Sequence, residues 1–165
     1  MYRNVVAAFL VFLAMTSACF AKTFPVPDDN PVATVNIPNS WDANQYDAGV
    51  EATSEDGDYY VAFEGVTKNN AKDAAKEALI GFLKQGVQLD VDNVKTDEVI
   101  LNGMPIVVLS YKGRDQDGPT NVRILIIPAE KKNRFLIMYT WGSDEADAAN
   151  AKDIDAMLNS ITLTK

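Results

Sequence analysis

Residues 97–111 read DEVILNGMPIVVLSY. Two apolar runs flank Asn102-Gly103, the strongest short-range signal for a two-residue hairpin. Both turn positions there need a positive φ, which Asn and Gly adopt at least cost. Two further runs follow at hairpin spacing, NVRILIIP (121–128) and RFLIMYTW (134–141), after the connections RDQDGPT (114–120) and EKKN (130–133). Connections this short impose antiparallel pairing, because a parallel return needs a crossover of about a dozen residues or more. PIVVLSY, VRILIIP and RFLIMYTW are nearly continuous in apolar residues, so their strands lie centrally, with both faces at least partly covered. A regular meander puts Asn102-Gly103 and EKKN at one end of the sheet and RDQDGPT at the other.

Upstream, VATVNIP (32–38) reads as a short β-branched strand that turns at Pro38. GVEATS (49–54) and YYVAFEGV (59–66) flank the turn-rich Glu55-Asp56-Gly57-Asp58 and form a second hairpin. From Asn70 the period changes: Ala71, Ala75, Ala78, Leu79, Phe82 and Leu83 recur at helical spacing. Asn70 suits the N-cap, and Gly86 suits the left-handed residue past the end. A last helix starts after Ser143, with Asp144 and Glu145 in its first turn, where the helix dipole favours negative charge. Its apolar stripe is Ile154, Met157, Leu158 and Ile161, and ITLTK closes as a short edge strand. The pattern predicts one α+β domain over residues 32–165, a mostly antiparallel sheet of six or seven strands flanked by helices. KTFPVPDDNP (22–31), with three prolines and two acids, is expected to be an extended linker.

The chain begins with Arg3, an eleven-residue apolar run from Val5 to Met15, and a small-residue stretch ending at Ala21. That order is the one of a secretory signal, 1–21. The run is well short of the roughly 20 residues that span a bilayer, and no transmembrane span is expected. Cleavage after Ala21, with Cys19 at −3, leaves Lys22 first. The alternative is lipidation at Cys19, although Thr16 stands where the lipoprotein pattern has a large aliphatic residue. The expected location is therefore periplasmic or secreted, soluble in the first case and tethered in the second.

Removal of 21 residues from 165 leaves 144, enough for one domain with a sizeable core. The leader carries Arg3 and no acid, so its loss moves the formal net charge from −8 to −9. Such a chain is repelled by nucleic acid and by anionic lipid surfaces. The sequence has no histidine, and cleavage after Ala21 removes its one cysteine. Ser-His-Asp and Cys-His nucleophilic machinery is thereby excluded. So are histidine- or thiolate-ligated zinc, copper and haem.

Asp115-Gln116-Asp117-Gly118 resembles the middle of a calcium loop, but the pattern's first acid would fall on Gly113 and its closing glutamate on Ile124. A polar hairpin tip accounts for these residues. Asp90 to Asn93 and Asp28 to Asn30 likewise read as turns. No glycine-rich phosphate loop or GxSxG elbow occurs, so no catalytic, cofactor or metal residues are assigned. Trp41, Tyr46, Tyr59, Tyr60, Tyr111, Tyr139 and Trp141 serve either as core and sheet-face packing or as the lining of a pocket or interface. Arg123 puts a charge on the strand face that carries Leu125 and Ile127. It either snorkels or pairs with an acid, or contacts a partner. Arg114, Lys131, Lys132 and Arg134 sit at or beside the turns. Trp41, Arg114, Arg123 and Arg134 are the candidate partner contacts.

With IPNSW (37–41), the meander ending RFLIMYTW and the terminal helix running into IDAMLNSITL (154–163), the chain resembles the PsbP-like superfamily, and within it the small exported bacterial DcrB-like proteins. The resemblance covers most of residues 32–163 and identifies a fold better than a function. It implies a central antiparallel sheet between helices and a non-enzymatic accessory or binding role. The expected function is thus an exported accessory protein of the cell envelope, binding a protein or envelope component without catalysis or cofactor. The alternative is a small-ligand or calcium-binding module of the same compartment.

Overall fold

The computed structural model describes residues 20–165. The leader residues up to Cys19, and with them the lipidation alternative, lie outside the described residues. The chain is α+β, with every strand pairing antiparallel, as the hairpin spacing predicts. An eight-stranded sheet runs in the order β3 (Asp42–Tyr46), β4 (Gly49–Thr53), β5 (Tyr59–Thr67), β10 (Arg134–Gly142), β9 (Pro119–Pro128), β8 (Met104–Arg114). Beyond β8 the edge is shared by β6 (Gln88–Leu89) and β7 (Lys95–Leu101), separated by a 3-10 turn at Val91–Asn93. A second sheet holds β1 (Ala21–Val26), β2 (Ala33–Pro38) and β11 (Thr162–Leu163). Among the described residues, no helix is long and apolar enough to cross a membrane.

Two expectations are corrected. Residues 22–31 do not act as a linker, because Ala21–Val26 pairs with β2 from Ala21↔Pro38 to Val26↔Ala33. Phe24 and Val26 alternate into the core at 4 % and 0 % exposure, a period-two signal that the prolines obscured. Pro25 is tolerated because β1 is an edge strand, where a missing N–H breaks no ladder. The single sheet of six or seven strands is in fact two sheets. β1, β3 and β6 carry no clear strand signal, because prolines interrupt β1, β3 is the polar run DANQY and β6 is only two residues long.

The local signals hold. Asn70 caps α1 (Ala71–Lys84) by accepting from the Asp73 N–H at 3.0 Å, and Ser143 caps α2 (Asp144–Ser160) by accepting from Ala146 N–H at 3.1 Å. Asn102 and Gly103 have φ of 50° and 85°. α2 and the small sheet cover one face of the large sheet, enclosing Val35, Phe63, Leu136, Met138 and Met157. α1 covers part of the other, over Ile124, Ile126 and Ile137. α1 packs over β9 and β10, so β3, β4 and β5 keep an open half-face beside it.

Candidate functional site

That half-face is built in rows set by strand register. Tyr46, Gly49 and Glu64 are neighbours across β3, β4 and β5. Asn44, Glu51, Ala62 and Tyr139 form the next row, extending onto β10, and Thr53, Tyr60 and Trp141 the one after. Directly opposed residues share a face, so these side chains converge beside α1. Gly49 has a packing reason: a Cβ there would stand 1.8 Å from the carbonyl oxygen of Phe63. With no side chain between them, Tyr46 reaches across β4 to Glu64.

Three phenols donate to two carboxylates. Tyr46 Oη donates to Glu64 Oε1 at 2.6 Å, and Tyr139 Oη donates to Glu64 Oε2. Tyr60 Oη donates to Glu51 Oε2 at 2.8 Å. Burial, reinforced by the neighbouring carboxylates, pushes all three phenols well above the ordinary tyrosine range. They stay neutral donors at any physiological pH. Among the described residues, the ion pairs are Lys68–Glu77, Lys112–Asp144 and Arg123–Asp147. No described cation pairs with Glu51 or Glu64.

A concavity of about 410 Å³ lies here, lined by Tyr60, Tyr139, Phe82, Glu64, Glu77 and Lys84. Phe82 stands edge-on to Tyr139 at 5.9 Å and to Trp141 at 6.2 Å. A second hollow of about 460 Å³ begins on the other side of Tyr60 and includes Trp141, Asp58, Asp115 and Asp117. There Trp141 Nε1 donates to Asp115 Oδ2 at 2.8 Å. Partial burial works against ionisation of Asp115. Even so, donors from Trp141 and the Asp117 and Gly118 backbone hold its carboxyl below the usual aspartate value. The arrangement offers aromatic walls and fixed negative charge, which suits a cationic or amine-bearing group.

The expected contact residues do not gather into one patch. Trp41 is 5 % exposed; its Nε1 donates to Asp153 Oδ2 at 2.9 Å and its ring stands edge-on to Tyr59 at 6.4 Å. Arg123 donates through both terminal nitrogens to Asp147, which also accepts from Tyr59 Oη at 2.7 Å. Arg134 Nη2 donates to the Asn30 carbonyl at 2.9 Å, beside Lys131, whose Nζ contacts Asn30 Oδ1 at 3.3 Å. Arg114 is exposed at the opposite end of the meander. Glu51 and Glu64 went unnoticed in the sequence. Their signal was an acid inside a strand-like run, with Glu64 four residues from Tyr60 on one face.

Arg123 thus belongs to an internal network, which can be tested. Burial opposes ionisation of Asp147, but hydrogen bonds from Arg123 and Tyr59 outweigh it and hold the carboxyl below its ordinary value. A depressed folded pKa adds stability above the unfolded aspartate value, near 3.9, that is lost as pH falls below it. Arg123→Met is expected to cost about 1–3 kcal/mol by urea melts at neutral pH. The penalty should shrink in acid, and a pH-independent loss would show that Asp147 is not the partner that matters.

No family model and no curated protein matches the chain. Solved structures do. A crystal structure from Bacteroides thetaiotaomicron aligns with a TM-score of 0.58 at 13% identity, over 87% of this chain and 48% of its own. This chain therefore spans about half the length of that protein. The solution structure of cyanobacterial PsbP, CyanoP, from Synechocystis aligns with a TM-score of 0.57 at 11% identity, over 94% of this chain and 99% of that one. LpqN of Mycobacterium tuberculosis, described as involved in cell envelope biogenesis, aligns with a TM-score of 0.53 at 15% identity, over 88% and 92%. The fold of the chain is PsbP-like.

Proposed function

We propose that the chain is an exported, non-catalytic accessory protein of the cell envelope that binds a cationic partner segment on the open half-face beside α1. The observation that carries this reading is the pair Glu51 and Glu64, half-buried, hydrogen-bonded by three tyrosines and forming no ion pair among the described residues, Lys84 at the rim of the same concavity included. Charges withdrawn from water are ordinarily paired, and a positive group from outside completes the pairing. A formal net charge of −8, or −9 once Arg3 leaves with the leader, draws such a partner in. Neutral phenols and hydrogen-bonded carboxylates make a fixed recognition surface rather than a set of nucleophiles or bases. The order of the leader supports export, with cleavage after Ala21 yielding a periplasmic or secreted protein. The description of LpqN as involved in cell envelope biogenesis agrees with an envelope role. The size of the concavity, about 410 Å³, favours as a second reading a small organic amine in the same place.

The test is calorimetric titration of the full chain with a lysine-rich peptide and, separately, with spermidine, at low and moderate salt. Glu51→Gln/Glu64→Gln keeps acceptors for the tyrosines and removes both charges. It is expected to weaken binding about ten- to a hundredfold. Equal affinity in the double variant, or no binding of either probe at low salt, sinks the proposal. Peptide without spermidine favours the first reading, and spermidine alone the second.

A further inference from the structure

The four sheet edges are not equally protected. β1 carries Pro25, β11 is two residues long, and β3 is the polar run DANQY. Proline, shortness and polarity each discourage pairing with a foreign strand. β7 differs: all of it but Leu101 is exposed, Ile100 and Val99 stand at 71% and 43% exposure, and its only described partner is β8. The pair closing a two-residue hairpin, Leu101↔Met104, exchanges hydrogen bonds, so the next pair, Ile100↔Pro105, does not. Pro105 could not donate in any case. The N–H and C=O of Ile100, Glu98 and Thr96 therefore point away from β8, into solvent.

We infer that β7 pairs antiparallel with β7 of a second copy of this chain, about a two-fold axis at Ile100. A two-fold axis perpendicular to a sheet must set one residue opposite its own copy, because opposed side chains share a face. The charges on β7 then choose among the registers. An axis at Lys95, Asp97 or Glu98 opposes identical charges. An axis at Val99 sets Glu98 against the partner's Ile100. An axis at Thr96 gives two exposed Lys95–Asp97 pairs, yet leaves Ile100 in water and runs the pairing into the 3-10 turn. Exposed ion pairs contribute less than burial of two isoleucines. An axis at Ile100 opposes Ile100 to its copy and Val99 to Leu101 twice, and the pairing ends before the hairpin turn at Asn102. Lys95 and Asp97 stay outside the apolar contact. The two eight-stranded sheets become one.

Sedimentation of the full chain from micromolar to millimolar concentration is expected to show a reversible dimer. Ile100→Lys should raise its dissociation constant by at least roughly a hundredfold. In a Cys19→Ser background, Ile100→Cys should oxidise to a disulfide-linked dimer. Thr96→Cys should not, since the two thiols would stand about 26 Å apart at a strand rise of about 3.3 Å per residue. Wild-type protein that stays monomeric at every concentration overturns the inference. So does a dimer indifferent to Ile100→Lys, or one that crosslinks through position 96 in preference to 100. None of these outcomes depends on the cationic-partner reading, which concerns the opposite edge of the sheet, at β3, β4 and β5.

Discussion

Alkaline titration is expected to unfold the protein in a transition that coincides with tyrosinate formation rather than following it. Burial pushes the Tyr59 phenol up to about 12, opposed by a hydrogen bond with Thr140 and helped by donation to Asp147. Tyr46, Tyr60 and Tyr139 are raised further, again chiefly by burial and then by Glu64 or Glu51. In the unfolded chain each ionises near 10. A raised folded pKa means that the native state holds the proton more tightly. The stabilisation is then fully present below about pH 10 and lost as pH rises towards the folded value. For Tyr59 the window runs from about 10 to about 12. Each phenol that is neutral folded and ionised unfolded removes about 1.4 kcal/mol per pH unit, so several together make the loss steep. Near-ultraviolet tyrosinate absorbance and far-ultraviolet circular dichroism, recorded together, should change in step. Tyrosines that ionise near 10 with the backbone signal intact would mean that the phenol–carboxylate network does not exist in solution.

Met157→Ala is expected to be the most damaging single truncation in α2. Met157 is fully buried and lies in the cluster that joins α2 to both sheets, with Val35 from β2, Phe63 from β5 and Met138 from β10. Removing its side chain loses transfer free energy and leaves a cavity that three elements cannot all close. Such losses run to about 2–5 kcal/mol. Thermal melting should fall on the order of 10 °C for a domain of this size. Leu83→Ala, on α1 at 55 % exposure, is the control and should stay within about 0.5 kcal/mol. If the two variants melt alike, α2 does not seat its stripe on the core.

The elements that could be read in advance are those whose instructions lie within a few residues. Asn102-Gly103 turns the chain because those two residues accept positive φ wherever they occur. Asn70 and Ser143 cap because their side-chain oxygens reach an N–H three residues on. The aromatic residues were visible as candidates for a lining, but their division was not. Tyr46, Tyr60, Tyr139 and Trp141 fall on the α1 side, while Trp41 and Tyr59 fall in the opposite core.

What the sequence by itself determined is the meander, both helices with their caps, the α+β class, and the exclusion of histidine-based chemistry. Period, turn residues and composition encode these over short distances. Only the tertiary structure decided that residues 21–26 join a second sheet, that Arg123 is matched to Asp147, and that three tyrosines converge on Glu51 and Glu64. Those outcomes depend on which strands lie side by side and in what register. Register is settled by the simultaneous burial of residues up to a hundred positions apart, such as Tyr59 and Asp147, whose hydrogen bond joins positions 88 residues apart. No local stretch carries that information.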